Sequence, residues 1–223
     1  MTTDGRAGSD ARAAVLAAAQ ALFTNAVISR SGHANLSARA ADDSMLLTTT
    51  GVVRSLRPDD LALVRLDGTV AEGSLAPENA EIVTMHSEVY KTRPDVGGII
   101  HTHAPNLLAF AMANRPLPCR YEALLRFGQA EDVPVVPWAP RGSKRSVGGI
   151  IDTLSTQPGT QAVLLGNHGV LVFGPGPAEA VALLTVLDEA AEGELAALPL
   201  GGAASFPPGA LADVRASMAR ARS

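Results

Sequence analysis

A chain of 223 residues, 47% hydrophobic and 18% charged, describes one soluble globular domain long enough to bury a core without staples. Its net charge of -4, with Lys and Arg scattered, excludes a broad nucleic-acid footprint, so any phosphate it binds must be held locally. No apolar run approaches the ~18 residues of a membrane span, the single cysteine, Cys119, cannot close an internal disulfide, and the first residues lack a charged-then-apolar leader pattern. No membrane or nucleic-acid partner is therefore expected, the cytoplasm is the expected compartment, and Cys119 is read as a small buried hydrophobe.

Residues 1–8 read as a frayed tail, after which Ser9-Asp10 is suited to cap a helix to about Ala26 with Val15, Ala18, Ala19, Leu22 and Phe23 as its buried stripe. The run Ser31-Gly-His-Ala-Asn-Leu-Ser-Ala-Arg39 is rich in small and hydrogen-bonding residues. It reads either as a turn into a strand or as an anion site in which Asn35 and Ser37 add side-chain donors to close backbone amides. Met45-Leu-Leu is a short strand leading into a second cluster of hydroxyls, Thr48-Thr-Thr-Gly51, and Asp67-Gly68 joins Leu61–Leu66 to Thr69-Val70 as a hairpin. Ala76-Pro-Glu-Asn-Ala-Glu81 starts a helix that Arg93-Pro94-Asp95 stops.

The Gly-flanked run Val96-Gly-Gly-Ile-Ile-His101-Thr-His103 follows at once and reads as a buried strand, on which residues two apart share a face. A helix from Ala104-Pro105 to Ala113, a strand at Val133–Val136 and a helix opened by Gly142-Ser-Lys-Arg-Ser146 and running to about Leu154 come next, the region from Pro116 to Trp138 being otherwise hard to read. Two apolar strands, Gln161–Leu165 and Val170–Phe173, flank the tight turn Gly166-Asn-His168-Gly169. A long helix from about Pro177 to Leu198 packs on the sheet, and beyond it residues 200–223 are expected to be flexible or peripheral, with a short helix from Leu211 to Arg222. There is no internal repeat and no composition break, so residues 1–223 are expected to form a single domain.

Three of the five histidines form a pattern. His101 and His103 on one strand face, with His168 displayed between glycines on a remote turn, match the open ligand set of a catalytic zinc, which keeps one position for water or substrate. A divalent ion beside a carboxylate can acidify a carbon next to a carbonyl, the ion taking the developing charge and the carboxylate the proton. Glu81 is the candidate base and Glu78 the alternative, although both also suit the charge of a helix N-terminus. His33 and His86 read as structural or supporting residues.

Four blocks in order resemble the class II aldolase/adducin family: Ala34-Asn-Leu-Ser-Ala-Arg39, Leu46-Leu-Thr-Thr-Thr-Gly51, Met85-His-Ser-Glu-Val-Tyr90 through Arg93-Pro-Asp-Val96 to His101-Thr-His103, and Leu165-Gly-Asn-His-Gly169. The resemblance runs from about residue 12 to 195. It implies a three-layer α/β/α fold with a central, mainly antiparallel sheet, often assembled as a homotetramer with sites at subunit interfaces. It implies zinc or another divalent ion on His101, His103 and His168, a phosphate cradle of Asn35, Ser37, Thr48, Thr50 and Gly51, and Tyr121 as a proton donor across a subunit boundary. The implied activity is that of a lyase cleaving or forming a C–C bond next to a ketone in a sugar phosphate or similar hydroxy-ketone, through an enediolate. A same-site epimerase, decarboxylase or dehydratase, and a non-catalytic assembly module like the adducin head, are the alternatives. The chain departs from the family pattern in three places. Ile82 stands four residues ahead of the helix histidine where the family has its glutamate, with Glu81 one residue earlier and Ala76-Pro77 where serines are expected; Ala34 replaces a glycine; and the C-terminal tail has no tyrosine.

Overall fold

Alternation along the central strands divides the chain into two apolar layers. In β5 (Gly98–Thr102), Ile100 joins one buried cluster with Leu36, Leu164, Val170 and Val172, whereas Ile99 joins a second with Met45, Leu47, Val163, Leu171 and Phe173. A sheet buried on both faces needs helices on both, and the chain supplies them. The computed structural model describes residues 3–220, apart from the side chains of residues 3–9 and of Glu78.

The other strands are β1 (Ala34–Ala41), β2 (Ser44–Thr48), β3 (Leu61–Arg65), β4 (Val70–Glu72), β6 (Val135–Val136), β7 (Ala162–Leu165) and β8 (Gly169–Gly174). They form one eight-stranded sheet in the order β4-β3-β2-β1-β5-β8-β7-β6, antiparallel throughout except for the β6–β7 pair. The mainly antiparallel, helix-covered sheet is the architecture that the sequence motifs imply. Residues of α1 (Thr3–Thr24), α3 (Pro105–Ala113), α4 (Glu122–Arg126) and α6 (Pro177–Ala197) fill the first apolar layer. Those of α2 (Ala80–Thr92) and α5 (Lys144–Thr156) fill the second, and α7 (Ala210–Arg220) lies against α4 with Val214 buried.

Local chemistry sets most of these boundaries. The Asp67-Gly68 turn closes β3–β4 with Gly68 at φ 95 and the Asp67 carboxylate accepting the Thr69 N–H at 2.8 Å. Pro105 and Pro177 occupy the first turns of α3 and α6, and Asn114 ends α3 in the left-handed region. Ser143 caps α5 by accepting the Ser146 N–H at 3.1 Å. Gly97 and Gly98 have no space for a side chain, because the Pro175–Pro177 corner between β8 and α6 crosses directly over them.

Several elements differ from expectation. The first helix runs through Ser9-Asp10 from Thr3, so those residues do not cap it, while Met1 and Thr2 of the expected tail, and Ala221 and Arg222 of the expected last helix, lie outside the described residues. α4 was not expected at all. β6 is shorter than the expected strand because Val133 instead bridges to Leu117.

Candidate active site

His101 is placed by β5 and His103 lies just beyond its end, while His168 sits in the turn between β7 and β8. Because β5 pairs with β8, the two stretches meet, and the ring centroids of the three histidines are 5.1, 4.7 and 5.3 Å apart. One ligand atom from each lies within 4.8 Å of the others, a set that can hold a metal ion. The His168 turn is anchored from outside the sheet: the Asn167 N–H donates to the Ala111 carbonyl at 2.9 Å, and the Asn114 side-chain amide donates to Asn167 Oδ1 at 2.9 Å. Gly169 allows the approach, since a Cβ there would sit 2.6 Å from the Thr102 carbonyl and 2.8 Å from His103 Cδ2.

The protonation of the three rings suits ligation. His101 Nδ1 lies 3.0 Å from the Val170 carbonyl, so it carries the proton and leaves Nε2 with a free lone pair. Burial, then the neighbouring His168 and His103, hold His101 well below the usual imidazole range. Burial also lowers His103, with the main chain of His33 pulling it partly back, and burial followed by the charge of His103 and Arg141 brings His168 down to about 4. Three neutral imidazoles are what a divalent ion requires.

The trio forms part of the wall of a cavity of about 680 Å³. Asn35, the cross-strand partner of His101, Thr49, Thr50 and Gly51 line it beside them. From the helices come Glu81, Ile82 and Met85 of α2 and Ser146 and Val147 of α5, and from the loop before α5 come Arg141 and Gly142. Glu81 and Arg141 are ion-paired. Ile82, where the family has its glutamate, is buried and supplies an apolar surface, and among the described residues the carboxylate that reaches this cavity is that of Glu81 one position earlier.

Two residues expected in the phosphate cradle are elsewhere. Ser37 is fully buried, with Oγ 2.7 Å from His86 Nδ1 and 2.9 Å from the Tyr90 hydroxyl. Thr48 is also buried, its Oγ1 accepting the Leu36 N–H at 3.2 Å. Both point into the protein because α2 covers this face of β1 and the main chain of β1 covers the end of β2. Asn35, Thr50 and Gly51 remain on the cavity wall. Tyr121 lies outside the cavity, 44% exposed, its hydroxyl 3.5 Å from Glu189. The side chain of Glu78 lies outside the described residues.

Sequence reasoning missed Arg141, Asn79 and Ser146. A basic residue next to a helix cap reads as a solvated charge, and nothing local distinguishes Arg141 from one. His86 carries a polar chain: the Tyr90 hydroxyl donates to Ser37, Ser37 to His86 Nδ1, and His86 Nε2–H to Asn35 Oδ1 at 2.7 Å. Asn35 Oδ1 is therefore committed, which leaves its amide NH2 as the group this cavity residue can offer to a ligand.

Residues 14–195 match the family model for the class II aldolase and adducin N-terminal domain. The chain belongs to the class II aldolase and adducin family. Within this family it is 30% identical over 159 residues to a 5-methylthioribulose-1-phosphate/5-deoxyribulose-1-phosphate aldolase of Rhodospirillum rubrum, covering 71% of this chain and 68% of the relative. It is 27% identical over 130 residues to an L-fuculose phosphate aldolase of Escherichia coli O6:H1, covering 58% of this chain and 57% of the relative. The fold superimposes on an L-fuculose 1-phosphate aldolase with a TM-score of 0.81 at 23% identity, covering 94% of this chain and 96% of the other. It also superimposes on a Klebsiella pneumoniae protein named in the alternative as aldolase, epimerase or decarboxylase, with a TM-score of 0.78 at 26% identity, covering 93% and 98%.

Proposed function

We propose that this class II aldolase-family enzyme is a metal-dependent lyase that cleaves or forms a C–C bond next to the ketone of a phosphorylated sugar. The observation that carries the reading is the convergence of three neutral imidazoles, each offering one ligand atom within 4.8 Å of the others, on a cavity whose wall also bears a carboxylate. His101, His103 and His168 would hold the ion, with zinc favoured by an all-imidazole donor set with an open position. Such an ion supplies Lewis-acid stabilisation of negative charge developing on the ketone oxygen.

The chain's own residues do the rest. Glu81 takes the proton from the carbon beside the ketone in the bond-forming direction and returns it to that carbon in the cleaving direction. Asn35, Thr50 and Gly51 hold the phosphate through amide and hydroxyl donors, and Ile82, Met85, Val147 and Leu165 give the cavity apolar surface. Tyr121, exposed and away from its own cavity, is the residue we assign to proton donation in a neighbouring copy of a homotetramer. An epimerase using the same bond cleavage, or a decarboxylase or dehydratase passing through the same enolate, would need the same ligands, a reading supported by the Klebsiella pneumoniae neighbour. The relatives named as sugar-phosphate aldolases favour the lyase. The cytoplasm is the compartment we assign.

The test is metal analysis combined with product identification on phosphorylated ketoses. The expected result is one divalent ion per chain and an aldehyde product, both abolished in His103→Ala while the circular dichroism spectrum is retained. Full turnover in His103→Ala, or turnover indifferent to a chelator, would refute the assignment.

A further inference from the structure

Glu81 and Arg141 face one another on the cavity wall, the first from the opening turn of α2 and the second from the loop that leads into α5. Among the described residues they are the only carboxylate and the only lysine or arginine lining this cavity. Gly142, at φ 73, keeps the loop against Glu81, because a Cβ at that position would run into the Glu81 side chain. The Glu81 side chain is 22% exposed and that of Arg141 63%, so the carboxylate is enclosed while the guanidinium is free to turn. A carboxylate oxygen engaged by a guanidinium is not free to take a proton from carbon. Yet a guanidinium fork binds a phosphate as readily as a carboxylate, with the same planar, two-pronged geometry.

We propose that Arg141 is a further phosphate-recognition residue of this cavity, acting beside Asn35, Thr50 and Gly51, and that it exchanges its pairing with Glu81 for pairing with the substrate's phosphate. The inference rests on the lyase reading for its consequence, which is a base released by the arrival of a phosphorylated substrate. Once Glu81 is released, its carboxylate takes the proton from the carbon beside the ketone, and the electron pair of the broken C–H bond moves to the ketone oxygen. In the reverse step the proton returns to that carbon. A neutral hydroxy-ketone brings nothing to compete for Arg141 and leaves the pair closed.

The exchange predicts opposite effects from the two partners, readable without turnover. With orthophosphate as the probe, calorimetric titration of the full chain should show binding weakened tenfold or more in Arg141→Met, because the fork is gone. It should be tightened severalfold in Glu81→Gln, because the internal competitor for the fork is gone. Both positions lie on a cavity wall rather than in the core, and circular dichroism of each variant verifies the fold. Unchanged or weakened phosphate binding in Glu81→Gln overturns the exchange, as does unchanged binding in Arg141→Met. Opposite shifts in a protein without lyase activity would refute the lyase reading and leave the exchange standing, so the two failures are distinguishable.

Discussion

His86 has no exposure to solvent, and both nitrogens of its ring are engaged, one by Ser37 and one by Asn35. The groups facing it, Ser37, Asn35, the Tyr90 hydroxyl and the buried ring of His101, are all neutral, so nothing nearby stabilises an imidazolium, and burial takes its pKa down to about 3. An unfolded chain binds that proton near pH 6.5. Between these values the unfolded state holds a proton that the folded state refuses, so the stability present above about pH 6.5 is lost as the pH falls toward 3. The loss amounts to about 1.4 kcal/mol per pH unit for one group. Urea unfolding of the metal-free protein between pH 4 and 6 checks this: His86→Gln, which keeps a donor and an acceptor but cannot titrate, should flatten the slope by about that amount. An equal slope in both proteins would mean that His86 is protonated in the native state.

The elements that carry the site were legible to the extent that they are periodic or punctuated. β5 announced itself through glycines on one side and paired histidines on the other, and the β7–β8 turn through Gly166 and Gly169. α4 was not legible because five residues are too few to show a helical period, and β6 because two residues show no alternation at all. Ser37 and Thr48 mark a different limit. Period-two alternation assigns Ser37 and Asn35 to one face, but whether that face meets a cavity or the side of α2 is decided by tertiary packing. The same packing gives Gly169 its role, because its place between Thr102 and His103 is set by the β5–β8 register, in which Thr102 is paired with Val170. Gly169→Ala should push the His103 ring out of line while leaving the sheet formed. The expected loss is about 10–100-fold in metal affinity, the scale seen when ligand orientation is disturbed. A competition titration against a chelator reads it, and an affinity within twofold of the parent would show that the turn yields without moving the ligand.

Across the whole molecule, the three candidate ligands come from chain segments some 65 residues apart, from His103 to His168, that are brought together by the β5–β8 pairing in the middle of the sheet. The edges of that sheet are poor structural anchors, β4 being three exposed residues and β6 two residues long. A trio assembled by central strands exists only in the folded chain, so an ion bound there stabilises the native state by mass action, by about 2.7 kcal/mol at a free concentration of 100 Kd. For a chain of this size each kcal/mol moves the midpoint by about 2–4 °C, and the expected gain in Tm is about 5–10 °C. Differential scanning calorimetry with zinc and with a chelator measures it, and His103→Ala supplies the control. In that variant the zinc-dependent shift should vanish while the chelator-treated Tm stays within a few degrees of the parent, since His103 lies beyond the end of its strand and packs against the cavity rather than the core. A shift of the same size in the variant would place the stabilising ion elsewhere on the molecule.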